Sequence, residues 1–186
     1  MIILLFILIF CSSALAESAL SNAVLEMTGA RTKIVWVHGV AGKGRARGWD
    51  GTEPEYELKA FDTAEGAPRV LLPGPACYAN PCISPDGTAV FYSDARTNTI
   101  YRVNWDGSDK RDFAKGYVLC TWRHPVDAGQ WLYFTDQGYM RGKVVRCRID
   151  DPAVLETVWT RDQAAHTLSV SDDGTHAGSE FPWPLA

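Results

Sequence analysis

The sequence predicts an all-β fold in which a unit of four strands repeats along the chain. Three strand ends share an apolar residue followed by Asp, at Phe61-Asp62, Trp105-Asp106 and Ile149-Asp150, each 44 residues after the last. A turn containing Asp-Gly recurs at Asp86-Gly87 and Asp173-Gly174. A four-stranded repeat of this length is typical of a β-propeller blade. Because an isolated four-stranded sheet leaves both faces in water, we expect the blades to stack.

The clearest unit runs from Pro81 to Phe113. Its first apolar run ends in the turn Ser84-Pro85-Asp86-Gly87, where Pro presets φ and Gly supplies a positive φ. β-Branched and aromatic residues then predict strands at Thr88 to Tyr92 and Thr99 to Trp105. The charged run Lys110 to Phe113 suits an outer edge strand, since charges discourage pairing with other chains.

The other units follow the same order with more variation. We expect the first blade at Thr32 to His38, Tyr56 to Phe61 and Ala67 to Leu72, and a third blade from Leu119 to Thr160. Inner strands are predicted at Pro81 to Ile83, Cys120 to Arg123 and Thr167 to Val170. This gives three blades and part of a fourth. Because a closed propeller needs about four blades or more, we expect the chain to be a partial propeller.

The second blade carries a family resemblance. Its Ser84-Pro85-Asp86-Gly87 turn, followed by AVFYSD and IYRVNWDG, resembles the WD40-like (PD40-type) repeat of TolB-like bacterial β-propellers. Similar repeats precede the hydrolase domain of prolyl-oligopeptidase-type enzymes, and the family includes metal-dependent uronide lyases. The resemblance implies a propeller scaffold, and it admits His38 and His166 as metal ligands if the chain resembles the lyases. One scaffold hosts many functions, so the resemblance implies no particular substrate.

The N-terminus and the composition indicate where the protein acts. Residues 1–16 combine a ten-residue apolar run with Ala14-Leu15-Ala16, which predicts a cleaved signal peptide and a propeller domain over residues 17–186. We therefore expect a bacterial protein, periplasmic or secreted, with no membrane span after signal removal. The formal net charge of −4 lacks the basic footprint of a nucleic-acid-binding protein.

Motifs for catalysis are absent from the sequence. It contains no Gly-x-Ser-x-Gly elbow and no His-Glu-x-x-His pair, and the Gly39 to Gly44 stretch lacks the Walker spacing. We expect no cofactor. Cys77, Cys82, Cys120 and Cys147 are interpreted as structural, and any disulfide is expected among the first three. Two hypotheses remain: an exported, non-catalytic binding or protein-interaction scaffold, which is favoured, and a fragment of a propeller enzyme, either a uronide lyase or the propeller of a prolyl-oligopeptidase-type hydrolase.

A ligand-binding face is predicted from the distribution of charge among the loops. Loops between second and third strands share one end of the propeller with the connections between blades, and we call this end the loop face. The remaining turns form the other end, which is rich in Asp, and we call it the turn face. We predict that the loop face binds a protein, an acidic glycan or an acidic peptide through Arg forks and aromatic stacking. The predicted ligand-binding residues are Arg45, Arg47, Trp49, Tyr78, Arg96, Tyr139, Arg141 and His166.

Overall fold

A computed structural model describes residues 19–40, 56–139, 141–160, 167–174 and 177–178. The chain enters through helix α1, residues 19–28. The spacing of Leu20, Val24 and Met27 in the sequence suits one face of a helix. The buried Ser21 hydroxyl donates a hydrogen bond of 3.2 Å to the Gly66 carbonyl, which ties the helix to the first sheet.

The described residues beyond the helix form four antiparallel sheets, which we number as blades 1 to 4 in chain order. Blade 1 contains β1 (Lys33–Gly39), β2 (Tyr56–Asp62) and β3 (Arg69–Ala76). Blade 2 contains β4 (Tyr78–Ile83), β5 (Ala89–Asp94), β6 (Thr99–Asn104) and β7 (Arg111–Lys115). Blade 3 contains β8 (Tyr117–Arg123), β9 (Gln130–Thr135), β10 (Val144–Arg148) and β11 (Glu156–Trp159). The described part of blade 4 is β12 (Ser169–Val170) paired with β13 (Ala177–Gly178).

The strands follow the predicted meander. In blades 2 and 3 each strand pairs with the next along the chain, from β4 to β7 and from β8 to β11. The first strands β4 and β8 contact each other, and β4 also contacts β1, as expected where blades converge on an axis. The predicted inner segments Pro81 to Ile83 and Cys120 to Arg123 lie in β4 and β8, and the third ends in β12. The prediction of an all-β propeller built from four-stranded blades is confirmed.

The Asp-Gly turn between the first and second strands of a blade has a local cause. Asp86 Oδ1 accepts hydrogen bonds from the Ser84 hydroxyl at 2.6 Å, the Thr88 amide at 3.0 Å and the Thr88 hydroxyl at 2.8 Å. Gly87 takes a φ of 72°, which only Gly adopts without strain. The Ser171 hydroxyl donates to Asp173 Oδ1 at 2.6 Å in the equivalent turn of blade 4. The repeated Ser-x-Asp-Gly motif is therefore a turn-forming device.

Apolar clusters between successive blades form the core. Between blades 1 and 2 the largest buried side chains include Leu58, Val90 and Tyr92, and between blades 2 and 3 they include Phe91 and Phe134. Since Val90, Phe91 and Tyr92 are consecutive, both faces of β5 are buried. Stacking of sheets, with side chains alternating between the two interfaces, explains this pattern.

Polar contacts join neighbouring blades at defined points. The Trp105 indole donates to Glu65 at 3.0 Å, and the Trp105 carbonyl accepts a hydrogen bond from Arg69, so blade 1 holds the end of the third strand of blade 2. Lys33 Nζ lies 4.5 Å from the centroid of the Trp105 ring and donates to the Gly87 carbonyl at 2.7 Å. Trp105 therefore anchors blade 2 to blade 1.

Blade 1 differs from blades 2 and 3 because its second described strand, β2, carries charged residues where those blades have apolar ones. Glu57 and Lys59 of β2 are half-buried and form an ion pair of 3.1 Å, whereas Leu58 and Ala60, which alternate with them, are fully buried against blade 2. The alternation of β2 is intact, because its apolar residues face the described neighbouring blade. The charged pair lies on the opposite face of this sheet.

The three outer strands protect their free edges to different degrees. β3 contains Pro73 and Pro75, which remove backbone donors, and β7 lies in the charged stretch Lys110 to Lys115. Strand β11 contains one charge, at Glu156, and the exposed residues Val154, Leu155 and Val158 lie in it or just before it. β11 is therefore the least protected outer edge among the described strands.

Candidate functional site

The loop face brings two neighbouring interstrand loops into contact. The loop between β5 and β6 contains Arg96 and Asn98, and the loop between β9 and β10 contains Gly138, Tyr139 and Arg141. Gly138 has a φ of 103°, and a Cβ atom there would collide with the Asn98 side chain. The Asn98 carbonyl also accepts a hydrogen bond of 2.8 Å from the Gly116 amide at the connection to blade 3. The loops that were predicted to share an end do so.

The predicted ligand-binding residues fall into four groups. Arg96 and Arg141 are exposed, and among the described residues neither guanidinium is in an ion pair. Tyr139 is half-buried, with its ring centroid 5.0 Å from that of Tyr117 in an edge-to-face arrangement. Tyr78 is buried in the core and its hydroxyl donates to the Pro73 carbonyl at 2.9 Å. The remaining residues, Arg45, Arg47, Trp49 and His166, lie outside the described part of the chain.

Tyr78 therefore belongs to a different environment from its predicted partners. Its ring packs edge-to-face on Tyr92 with centroids 5.2 Å apart. Burial, and secondarily the Asp94 carboxylate, raise the pKa of Tyr78 above its ordinary value. The sequence placed Tyr78 at a connection between blades, and such connections are commonly exposed. The structure instead begins β4 at this residue.

On the turn face, carboxylates serve structural contacts. Burial raises the pKa of Asp86, but hydrogen bonds from Ser84, Gln130 and Thr88 outweigh it and leave the pKa below its ordinary value. The Arg31 guanidinium, with both Asp62 oxygens at 3.0 and 2.6 Å, holds the pKa of the fully buried Asp62 below its ordinary value. These two carboxylates remain ionised, and their oxygens are engaged in contacts within the fold.

Histidines and cysteines do not form a metal site in the described part of the chain. No group of three or more His, Cys, Asp or Glu side chains there has the arrangement needed to hold a metal ion. His124 Nδ1 lies 3.1 Å from Asp127 and faces the amides of its own turn. His38 lies at an exposed position near the end of β1.

Cys82, Cys120 and Cys147 are free thiols, and Cys77 is buried. Burial raises the pKa of Cys82, Cys120 and Cys147 to about 12, so all three remain protonated at neutral pH. Cys82 packs in the cluster between blades 2 and 3, whereas Cys120 packs in the cluster between blades 3 and 4. The two side chains are nevertheless close enough to interact, because the Cys82 thiol adds to the effect of burial in raising the pKa of Cys120.

Comparison with known proteins establishes the fold. No family model matches the sequence, and no curated protein matches it. TolB from Acinetobacter baumannii superposes with a TM-score of 0.55 at 17% sequence identity, over 84% of this chain and 39% of that one. The chain has the fold of a TolB-like β-propeller. An oligogalacturonate lyase from Vibrio parahaemolyticus is similar at a TM-score of 0.55 and 17% identity, over 83% of this chain and 46% of that one.

The TolB-like propeller described here spans less than half the length of each of these two relatives. At 17% identity the likeness to each of them covers the fold alone. Among the described residues, no helix combines the length and the apolar composition required to cross a membrane.

Proposed function

We propose that this chain is an exported, non-catalytic TolB-like propeller module that binds an anionic partner, a protein segment or an acidic glycan, on its loop face. The observation that carries the proposal is the pair of exposed guanidiniums at Arg96 and Arg141, which lack ion-pair partners among the described residues. They lie on two loops that touch each other, beside the aromatic pair Tyr117 and Tyr139. Arginine beside aromatic rings is suited to carboxylate recognition and stacking.

The contrast between the two faces supports this assignment. Turn-face carboxylates such as Asp86 and Asp127 accept hydrogen bonds from backbone amides of their own turns. Such residues are required for the turn and have little capacity left for a ligand. The side chains of Arg96 and Arg141 make no hydrogen bond or ion pair to another described residue, so their conformational freedom is retained for a partner.

The enzyme alternative has one supporting observation. The oligogalacturonate lyase is as similar in fold as TolB, with the same TM-score of 0.55. Its named substrate is a chain of sugar acids, which is also a plausible anionic partner for the loop face. A lyase would cleave polygalacturonate, whereas a binding module would retain it intact.

Charge reversal on the loop face tests the proposal. Arg96→Glu and Arg141→Glu are each expected to abolish retention of the mature chain on immobilised polygalacturonate at low salt. Arg123→Glu is a matched control, because Arg123 is exposed on β8 and has no ion pair among the described residues. Retention should fall steeply with salt, since exposed charges are screened.

Three results would contradict the binding proposal. The first is that Arg123→Glu loses as much retention as the loop-face variants do. The second is that retention does not change with salt concentration. The third is that the unmodified chain is retained neither on polygalacturonate nor on an acidic peptide matrix. Formation of unsaturated uronide, followed by its ultraviolet absorbance, would instead establish the lyase alternative.

A further inference from the structure

A second basic site is present on the opposite end of the propeller. A cleft of about 340 Å³ lies between blades 2 and 3 on the turn face. Arg102 and Arg111 line it from blade 2, and Arg148, Asp150 and Gln130 line it from blade 3. Both blades have all four strands described, so the walls of the cleft do not depend on any other part of the chain.

The lining of this cleft carries an excess of positive charge. Three guanidiniums and one carboxylate, that of Asp150, line it. The arginines come from three different strands or strand ends, on β6, β7 and β10. A concave surface between two sheets concentrates such charges more than a flat surface does, because water has less access to them.

The arginines have fewer acidic partners than they have donors. Arg102 and Arg111 share a single oxygen, Asp109 Oδ2, at 3.2 and 3.6 Å. Of these two contacts only the one from Arg102 is a hydrogen bond, so Arg111 makes no side-chain hydrogen bond to another described residue. Five N–H donors on each guanidinium are available in principle. Most of those on Arg102 and Arg111 therefore lack an acceptor among the described residues.

Arg148 offers a third donor group to the same cleft. Its Nε and Nη2 atoms donate to the two Asp150 oxygens at 2.9 and 3.1 Å. Its Nη1 atom lies 3.8 Å from Asp127 Oδ2, which is too far for a hydrogen bond. One edge of this guanidinium is thus fixed by Asp150, and the other edge remains open.

The floor of the cleft is held in place by contacts between the blades. The Gln130 amide donates to Asp86 Oδ2 at 3.0 Å, and its oxygen accepts from the Asp86 backbone amide at 3.2 Å. This two-way contact uses the polar atoms of Gln130 for joining the blades. Gln130 therefore holds the two blades together, and the arginines are the residues that can bind a ligand.

We propose that this cleft binds a small polyanion that carries at least two acidic groups, either carboxylates or phosphates. Several acidic oxygens would fill the open donors of Arg102, Arg111 and Arg148 together, which a single carboxylate cannot do. The volume is at the lower end of the range for small-molecule sites, which favours a ligand of metabolite size over a polymer. The site is separate from the loop face, and its test does not depend on the function proposed there.

Calorimetric titration of the mature chain with defined anions tests the proposal. The probes are citrate, pyrophosphate, inorganic phosphate and acetate, each added at constant ionic strength. Citrate or pyrophosphate should bind, and acetate should bind at least tenfold more weakly. Comparison of citrate with pyrophosphate distinguishes a carboxylate ligand from a phosphate ligand.

Three variants connect binding to the cleft. Arg111→Gln and Arg148→Gln should each weaken binding about tenfold, since each removes charge-assisted hydrogen bonds. Lys143→Gln, at an exposed position in the loop between β9 and β10 and away from the cleft, should leave the affinity unchanged. Asp109→Asn should strengthen binding, because it removes the competing carboxylate while Asn tolerates the φ of 51° at this position.

The proposal is overturned by any of three outcomes. These are no binding of either polyanion, equal weakening by Lys143→Gln, and weaker binding in a folded Asp109→Asn variant. Thermal unfolding of each variant shows whether it is folded, and loss of affinity counts only for variants that melt as the unmodified chain does. Because Arg111 is largely exposed, its variant is expected to fold.

Discussion

The Ser93 hydroxyl provides the sharpest test of how the blades are joined. Ser93 lies in β5 and is fully buried, and its Oγ atom accepts a hydrogen bond of 2.8 Å from the Val118 amide in β8. Val118 is also fully buried, so this amide has no access to water. The bond therefore connects blades 2 and 3 within the core and not at its rim.

Ser93→Ala should lower the free energy of unfolding by about 1–3 kcal/mol, because it leaves the buried Val118 amide without an acceptor. For a domain of this size, about 2 kcal/mol corresponds to a fall in Tm of roughly 4–8 °C. The same substitution at Ser169, which is exposed, should change stability by less than about 0.5 kcal/mol. The comparison isolates the effect of burial from that of the Ser to Ala change itself.

Urea unfolding followed by tryptophan fluorescence measures both variants. The Ser93→Ala midpoint should fall while the slope of free energy against urea concentration stays the same, since the surface exposed on unfolding is unchanged. A loss at Ser93 no greater than that at Ser169 would refute the reasoning, because it would mean that the amide is solvated or finds another acceptor. A changed slope would point to separate unfolding of the blades.

Two further predictions concern the turn of blade 2 and the edge of blade 3. The pKa of Asp86 in the folded chain lies below its ordinary value of 3.8. The ionised carboxylate therefore stabilises the fold fully above pH 3.8, and this stabilisation is lost as the pH falls from there through the folded pKa. Unfolding at pH 6 and pH 3 should therefore show a smaller loss of stability on acidification for Asp86→Asn than for the unmodified chain; an equal loss would contradict the assignment. At the edge of β11, Val158→Lys should reduce the concentration-dependent association that sedimentation velocity measures. Val126→Lys, at another exposed apolar residue, should not reduce it. Equal effects of the two variants would exclude β11 as the contact.

The repeat in the sequence predicted the scaffold because its signals are local. The Ser84 to Gly87 turn forms through contacts among residues no more than a few positions apart, so its recurrence could be recognised without knowledge of the rest of the fold. The alternation of Tyr101, Val103 and Trp105 likewise follows from strand geometry. Fold class, strand order and inner strands were therefore predictable.

Contacts between blades could not be predicted in this way. The Asp86–Gln130 contact joins residues 44 positions apart, and the Val118 amide reaches Ser93 across 25 positions. Such pairs depend on how far one sheet is displaced along the next, which no local pattern encodes. Tyr78 illustrates the consequence, since its position at a connection suggested exposure and the packing of blade 1 against blade 2 buries it.

The arginine cleft was missed for the same reason, and the repeat explains why it occurs between blades 2 and 3. Arg102 faces Phe91 across its strand pair, and Arg146 faces Tyr133 in the equivalent position of blade 3. Arg146 is paired with one carboxylate, Glu156, at 2.7 Å. The same position thus carries a guanidinium in both blades.

The difference between these two arginines lies in their outer strands. In blade 3 the outer-strand residue Glu156 forms an ion pair with Arg146 and neutralises its charge. The Arg146 guanidinium also lies 4.4 Å from the centroid of the Trp131 ring. In blade 2 the turn before the outer strand supplies one acid that pairs with Arg102, Asp109, and the outer strand itself supplies a second arginine, Arg111. One carboxylate shared by two guanidiniums leaves a positive charge unbalanced at that point. An arginine at the same position of two blades can therefore be neutralised by an ion pair in one blade and line an anion site in the other. The sequence of the outer strand decides which of the two occurs.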